Sequence, residues 1–141
     1  MVDTIYLDSN IFIWGYNFPE SNSAKTLEFI MDSDIELYMS EKVIDELRQY
    51  FCTYFNKDIF SEIRLMLFSR SNIIYNGEIQ SELEKWRNKI KKKDLEHISI
   101  IKKFKIPILV SYDRDFEAFS EYMTPKKFVK YIGLKPSKTE Y

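Results

Sequence analysis

The chain has only one cysteine and one histidine among its 141 residues, and this scarcity limits its chemistry. A single thiol, Cys52, excludes an intrachain disulfide framework. With only His97 to assist it, Cys52 cannot form a zinc site of the usual type, which takes several cysteine and histidine ligands. We therefore expect Cys52 to be a small buried side chain.

The sequence also lacks long apolar runs and segments that would divide it into separate domains. No run of about 18 apolar residues is present to cross a membrane, and the charged start MVD leads straight into a strand-like segment, unlike a secretory leader. We expect a cytoplasmic protein without membrane contact. The chain has no internal repeat, low-complexity segment or long linker, and 45% of its residues are apolar. These features predict one domain over residues 1–141 with a sizeable core.

The net charge of −1 conceals an uneven distribution of charge. Residues 1–60 contain 11 acidic and 4 basic residues, a balance of −7, whereas the remaining residues contain 11 acidic and 17 basic residues, a balance of +6. Such a split indicates an acidic region and a basic face that is able to attract a polyanion.

Strand-like and helix-like segments alternate along the chain. Short apolar runs predict strands at residues 4–8, 36–40, 72–75, 107–111 and 128–132. Apolar residues at helical spacing predict helices at residues 22–33, after Ser40 as N-cap, and at residues 58–69, 81–90 and 94–104. This alternation is typical of an α/β sandwich, in which helices cover both faces of a parallel sheet.

Two strand ends carry carboxylates. Asp8 follows the first predicted strand, and the segment SYDRDF places Asp113 and Asp115 after the apolar run IPILV. Ligands of open α/β sheets bind beyond the carboxyl ends of the strands, where side chains distant in sequence meet. Asp8 and Asp113 are therefore expected at the same edge of the sheet. Asp115 alternates with Asp113 along an extended chain and ranks behind it as a candidate ligand.

Two helical acids are expected to point toward the same edge. At about 100° per residue, Glu46 lies at the border of the apolar stripe of the helix after Ser40, whereas Asp45 faces the opposite way. Asp94 lies on the inward side of its helix, between Ile98 and Ile101.

Inward carboxylates need cations, because an unpaired carboxylate near the interior is costly or stays protonated. Oxygen ligands without nearby cysteines suit Mg²⁺ or Mn²⁺. Such an ion activates water and stabilises charge on a phosphate, which fits phosphodiester hydrolysis. Taken singly, each acid also has a simpler explanation: a turn at Asp8 and Asp113, a helix cap at Asp94, and a solvated charge at Glu46.

The motifs that carry these acids resemble those of the PIN-domain nucleases over nearly the whole chain. IYLDSN resembles the family's opening strand, with Asp8 as its first acid, and SEKVIDEL resembles its second motif, with Glu46. KDLEHISIIKKFKIPILVSYDRDF resembles the helix and strand that carry Asp94 and Asp113. TPKKF (124–128) resembles the family's closing turn and short strand.

The resemblance implies a three-layer α/β/α fold with a parallel sheet of about five strands and metal-dependent endoribonuclease activity. It implies that four catalytic acids hold Mg²⁺ or Mn²⁺: Asp8, Glu46, Asp94 and Asp113. Asp115 is a further candidate metal ligand. Many small members of the family are toxins of VapBC-type toxin–antitoxin pairs. An RNA substrate, an antitoxin partner and a homodimer are therefore expected.

Other polar side chains are candidates for supporting roles. Asn10 and Ser111 are placed to hydrogen-bond the acids and fix their orientation. The basic run before Asp94 is a candidate RNA-binding segment, with Trp86, Arg87, Lys91, Lys92 and Lys93 as its contacts. We interpret His97 as a satisfied histidine, because a metal-activated water requires no histidine base.

Two other functions remain open from the sequence. A catalytically silent PIN-like module would bind RNA or a protein through the basic and aromatic surfaces. An unrelated parallel α/β domain, such as a receiver-like phosphoacceptor, would also gather acids at its strand ends, although the lysine that usually follows a late strand there is not evident. Metal-dependent cleavage of RNA would distinguish the nuclease from the silent module and from the receiver-like domain.

Overall fold

A computed structural model describes residues 2–141. Its strands are β1 (Thr4–Leu7), β2 (Glu36–Ser40), β3 (Ser71–Ile74), β4 (Leu109–Val110) and β5 (Tyr122–Met123). Its helices are α1 (Ser9–Asn17), α2 (Asn22–Met31), α3 (Glu41–Tyr54), α4 (Lys57–Arg70), α5 (Gln80–Trp86), α6 (Leu95–Phe104) and α7 (Pro125–Tyr131). The five strands form one parallel sheet in the order β3-β2-β1-β4-β5, which confirms the predicted α/β fold.

The central strand β1 positions the site. Ile5, Tyr6 and Leu7 have no exposed surface. Because consecutive strand residues point to opposite faces, helices must cover both faces of the sheet here. On one side of β1 lies β2 and on the other β4, and the backbone N–H of Asp8 donates to the carbonyl of Val110 at 3.2 Å. The carboxyl ends of β1 and β4 are thus held side by side.

Side-chain caps fix where the helices begin. The Oγ of Ser40 accepts from the backbone N–H of Val43 at 3.2 Å, which confirms the predicted N-cap of α3. The Oγ of Ser21 caps α2 in the same way through Ala24 at 3.0 Å. Each such cap contributes about 1 kcal/mol to stability. Ser40 also ends β2, so α3 leaves the sheet at the same edge as Asp8.

Helix α1 was not predicted from the sequence. Its residues Ile11, Phe12, Ile13 and Trp14 are apolar without a break, so the segment lacks the spacing that distinguishes a helix from a buried strand. The structure shows why no polar face is needed, because α1 packs against both α2 and α3.

The predicted last strand at residues 128–132 is wrong. Residues Pro125–Tyr131 form α7, which Thr124 caps through the backbone N–H of Lys127 at 3.2 Å. Proline at the first helical position and a threonine cap favour a helix start, and Phe128 and Val129 are buried by it. The TPKKF segment is therefore a helix start rather than a turn and a strand. The fifth strand is the short β5, which pairs with β4.

Two side-chain expectations on α3 also fail. Cys52 is exposed rather than buried. Tyr54, expected in the apolar stripe of this helix, has 71% of its surface exposed. The last turn of α3 therefore extends beyond the core, although Phe51 is fully buried.

Among residues 2–141, no helix combines the length and apolar character that crossing a bilayer requires.

Candidate metal site and active site

Asp8 lies at the carboxyl end of β1 and is buried. Its Oδ1 accepts from the backbone N–H of Ser9 at 2.7 Å, which also caps α1. Its Oδ2 accepts from Ser111 Oγ at 2.9 Å and from Asn10 Nδ2 at 3.3 Å. Asn10 also donates to Ser111 at 3.2 Å. The two side chains proposed to orient the acids thus contact Asp8, and they hold its carboxylate in one position.

Glu46 lies on the border of α3 and reaches the same place. Burial raises the pKa of its carboxyl, and the negative charge of Asp8 raises it further. Its Oε1 is buried without a hydrogen-bond partner among the described residues. One oxygen of Asp8, one oxygen of Glu46 and one ring nitrogen of His97 lie within 4.8 Å of one another. Glu46 is therefore close enough to share a cation with Asp8.

His97 lies deeper in this cluster than the sequence indicated. Its Nδ1 is 2.5 Å from the hydroxyl of Tyr6, and its Nε2 is 4.0 Å from Oδ1 of Asp8. Burial lowers the pKa of the imidazole, while the charges of Asp8 and Asp94 oppose that shift. The histidine is buried and bonded, as expected, but its second nitrogen faces the acids. His97 lies three residues after Asp94, and this helical spacing was the sequence signal that could have placed it beside the acids.

Asp94 is buried immediately before α6 and does not cap that helix through its side chain. The simple capping role considered for Asp94 is therefore not observed. Burial raises the pKa of its carboxyl, and the negative charges of Asp113 and Asp115 add to this effect, while Lys93 opposes it. These influences place Asp94 in the same electrostatic environment as the two acids that follow β4.

Asp113 and Asp115 form the outer part of the site. The Oδ1 of Asp113 accepts from the backbone N–H of Asp115 at 3.0 Å, so Asp113 also makes the turn considered for it. Its Oδ2 lies 3.5 Å from Nζ of Lys93. Asp115 pairs with Lys93 at 2.5 Å and with Lys91 at 3.3 Å, which lowers the pKa of its carboxyl. Asp115 thus faces the lysines.

The donor set fits a hard divalent cation. Besides Glu46 Oε1, the Oδ1 of Asn10 is buried without a partner among the described residues. Two such oxygens beside the Asp8 carboxylate are acceptors without donors, and a cation would satisfy both. Carboxylate and amide oxygens without thiolates are the ligands that Mg²⁺ and Mn²⁺ prefer.

Basic residues line a cavity beside these acids. This cavity, the β2-side cavity, has a volume of about 890 Å³ and is lined by four cations, Lys42, Arg87, Lys92 and Lys93, together with Leu83, Leu95, Asn76 and Glu96. Three of the five residues proposed to bind RNA thus share one surface. Lys91 pairs with Asp115 instead.

Trp86 is already held by its own helix. Its Nε1 donates to Glu82 at 3.3 Å, and the ammonium groups of Lys85 and Lys89 lie 5.4 and 5.5 Å from its ring centre. Trp86 does not line the β2-side cavity. Trp86 and Lys91 are thus the two proposed RNA contacts that lie outside the lining of this cavity.

The family model of the PIN domain matches residues 5–122, and the chain belongs to this family. The match includes Asp8, Glu46, Asp94, Asp113 and Asp115. It excludes the alternative of an unrelated, receiver-like phosphoacceptor domain. No curated protein matches the chain.

Two solved structures share the fold. A chain of the toxin–antitoxin complex from Klebsiella pneumoniae is 20% identical, with a TM-score of 0.69 over 86% of this chain and 97% of that chain. A chain of VapBC2 from Rickettsia felis, bound to a DNA fragment from their promoter, is 22% identical, with a TM-score of 0.57 over 85% of this chain and 96% of that chain.

Proposed function

We propose that this protein is a metal-dependent endoribonuclease that hydrolyses RNA phosphodiester bonds, and that it is the toxin of a toxin–antitoxin pair. The observation that carries the proposal is the meeting of Asp8 and Glu46, with unpaired buried oxygen nearby, at the sheet edge that also holds Asp94 and Asp113. Membership of a family of nucleases supports the same chemistry.

Asp8, Glu46, Asp94 and Asp113 would hold Mg²⁺ or Mn²⁺, which supplies an activated water and stabilises charge on the phosphate when bound. Ser111, Asn10 and the N–H of Ser9 fix the direction of the Asp8 carboxylate. Asp115, first considered as a fifth ligand, holds Lys91 and Lys93 at the rim. These lysines offset the repulsion between the acids and a polyanionic substrate.

The β2-side cavity is the proposed entry for RNA. Its four cations match the phosphate backbone, and its apolar wall at Leu83 and Leu95 accommodates a base. Lys93 lines this cavity and also contacts Asp113. A phosphate bound by Lys93 in this cavity would therefore lie close to Asp113.

An antitoxin and a second copy of the chain are the proposed protein partners, in the cytoplasm. Both structural neighbours are toxin–antitoxin proteins by name. Large apolar side chains are exposed on α3 and α4, including Tyr54 at 71%, Leu65 at 73%, Met66 at 41% and Phe68 at 45%. Exposed apolar surface of this kind is typical of a protein interface.

The test is cleavage of a mixed RNA pool with Mg²⁺, Mn²⁺ or EDTA. Asp8→Asn should reduce the rate by about 100-fold or more, the loss seen when one group that stabilises transition-state charge is removed. Asp45→Asn is the matched control, since Asp45 is exposed on the same helix as Glu46 and pairs with Arg48 at 2.6 Å. Full activity of folded Asp8→Asn, or cleavage that persists in EDTA, would exclude the proposed metal site.

A module that binds RNA without cleaving it is the second candidate. The ion pairs of Lys93 with Asp113 and Asp115 favour it, because they occupy carboxylates that a metal would need. This candidate predicts RNA binding by the wild type with no cleavage under any metal condition. It also predicts that Asp8→Asn binds RNA as the wild type does.

A further inference from the structure

A second cavity opens on the other side of the acids. This β5-side cavity has a volume of about 690 Å³, within the range of about 300–1,000 Å³ that is usual for small-ligand sites. Four cations line it, Arg114, Lys126, Lys127 and Lys130, against two acids, Glu117 and Glu140. The cavity is therefore positively charged and large enough for a nucleotide.

Strand order places the two cavities on opposite sides of the candidate active site. The β2-side cavity includes the start of α3, which follows β2, and the start of α6. The β5-side cavity is formed by the segment after β4, by β5 and by α7. Asp8 follows β1, and β1 lies between β2 and β4 in the sheet. The acids therefore lie between the two cavities.

Asp113 has a neighbour in each cavity, although its own side chain lines neither of them. Lys93 lines the β2-side cavity and lies 3.5 Å from Asp113. Tyr112 and Arg114, the neighbours of Asp113 in sequence, both line the β5-side cavity. Asp113 therefore lies near the shortest path along the chain between the linings of the two cavities, through Lys93 on one side and Tyr112 and Arg114 on the other.

The β5-side cavity also has features that recognise unpaired bases. Tyr112 and Tyr122 line it, and Tyr112 is held by an edge contact with Trp14 at 5.8 Å between ring centres. The hydroxyl of Tyr122 is buried without a hydrogen-bond partner among the described residues. Fixed aromatic rings stack on bases, and a free buried hydroxyl suits a base edge or a ribose hydroxyl.

We propose that the β5-side cavity binds the single-stranded RNA segment on the opposite side of the scissile phosphate from the segment held by the β2-side cavity. This proposal rests on the proposed function and adds a second subsite to it. A site with a cavity on each side of the acids holds the substrate across the bond that is cut. It therefore favours cleavage within a chain over cleavage at an end.

The experiment measures binding of a fluorescent single-stranded RNA by anisotropy, in EDTA so that no RNA is cut. The variant combines Lys127→Ala and Lys130→Ala. The matched control combines Lys135→Ala and Lys138→Ala, which removes two exposed lysine side chains that do not line the cavity and keeps the Lys138 carbonyl that accepts from Lys126 at 2.9 Å. Melting curves of both variants verify that they fold.

We expect the cavity variant to bind the RNA at least about 10-fold more weakly than the control. The slope of log affinity against log salt should fall by about 1.4, since each phosphate contact to a single strand contributes about 0.7. Tyr122→Phe, which keeps the ring, should weaken binding of RNA more than binding of the matching DNA. These results would support RNA binding at the β5-side cavity independently of the cleavage test.

Equal RNA affinity of the cavity variant and the control would overturn the second subsite. An equal loss for double-stranded DNA and single-stranded RNA would overturn its assignment to single strands and indicate a general polyanion surface. Because binding is measured without metal, failure of the subsite is distinguishable from failure of the nuclease proposal, which is tested by cleavage.

Discussion

At the scale of single residues, the contact between Tyr6 and His97 determines which atoms face the acids. Tyr6 has no exposed surface, and its hydroxyl oxygen accepts from the backbone N–H of Ser40 at 3.3 Å. Burial keeps the pKa of this hydroxyl well above its ordinary value of 10.0, so the proton stays on it. The hydroxyl of Tyr6 lies 2.5 Å from Nδ1 of His97, which is well placed to accept that proton.

We therefore predict that neutral His97 carries its own proton on Nε2, the nitrogen that faces Asp8. A protonated ring nitrogen donates hydrogen bonds and does not bind metal. His97 is then a positioning residue beside the carboxylates, although its distance from Asp8 and Glu46 would fit a metal ligand. The metal would be held by oxygen atoms alone.

Nitrogen NMR of the imidazole checks the predicted tautomer of His97, and the single histidine makes the spectrum unambiguous. We expect a protonated Nε2 and a bare Nδ1 in the wild type, unchanged in character when Mg²⁺ is added. Tyr6→Phe should remove the preference for a proton on Nε2 of His97. It should also lower the free energy of unfolding by about 1–3 kcal/mol, because the buried backbone N–H of Ser40 loses its acceptor. A bare Nε2 in the wild type, or one that responds to Mg²⁺ as a ligand, would contradict it.

The sequence located the acids but not this contact. Asp8 and Asp113 could be placed because they follow apolar strands, and Glu46 because helical angles set it at the border of a stripe. The distance from His97 to Tyr6 depends on how closely α6 packs over the sheet, and these residues are 91 positions apart. No local pattern encodes that distance.

At the scale of elements, the wrong strand at residues 128–132 and the unpredicted helix α1 each have a physical cause. The segment FVKYI is short and rich in aromatic and β-branched residues, as strands often are, yet the threonine cap and Pro125 just before it favour a helix. The central residues of helix α1 are apolar without a break, and this helix packs against both α2 and α3. In both cases the deciding signal lay in the cap or in a tertiary contact rather than in hydrophobic spacing.

The crossing of α1 and α2 depends on Gly15. A Cβ at this position would meet the side chain of Leu27 at 2.7 Å and the backbone of Ala24 at 3.3 Å. A larger residue would therefore force the Leu27 side chain to move, and the contact with the backbone of Ala24 would also require a small shift of one helix. The start of α1 is Asp8, so a shift of this helix would also disturb the candidate active site.

Gly15→Val should therefore lower the free energy of unfolding by about 1–3 kcal/mol, the usual cost of overpacking. Chemical denaturation measures this change. Gly77→Val is the matched control, because a Cβ at Gly77 has no neighbour within 4 Å. Equal losses for the two variants would show that the helix crossing does not require a glycine.

At the scale of the whole molecule, folding brings together acids that the chain keeps far apart. Asp8 and Glu46 belong to the acidic first part of the chain, and Asp94 and Asp113 to the basic remainder. The basic residues of the second part line both cavities, while the acids lie between them. The uneven charge distribution noted in the sequence thus becomes an acidic centre with basic surroundings.

This concentration of charge should make stability depend on pH. The pKa of Glu46 is raised from its ordinary value of 4.5, chiefly by burial. The folded state therefore holds this proton more tightly than the unfolded chain does, and its stability falls as the pH rises from the ordinary pKa through the raised one. Glu46→Gln should not show this loss of stability, because glutamine does not ionise.

Melting temperatures in EDTA test the prediction. Glu46→Gln should match the wild type below about pH 4, where both side chains are neutral, and exceed it increasingly toward neutral pH. Mg²⁺ should raise the melting temperature of the wild type more than that of the variant. Asp45→Asn, the control, removes a charge from the exposed face of α3. A difference that stays constant with pH would contradict the assigned cause.

Lys93 gives the site one more property. Its ammonium group already neutralises part of the charge of Asp113 and Asp115, and the same side chain lines the β2-side cavity. A divalent ion that enters the site would compete with this ammonium, so metal loading is an exchange of cations rather than a simple addition. The displaced ammonium would then be available to a phosphate. Metal and RNA would each promote binding of the other, as thermodynamic linkage requires.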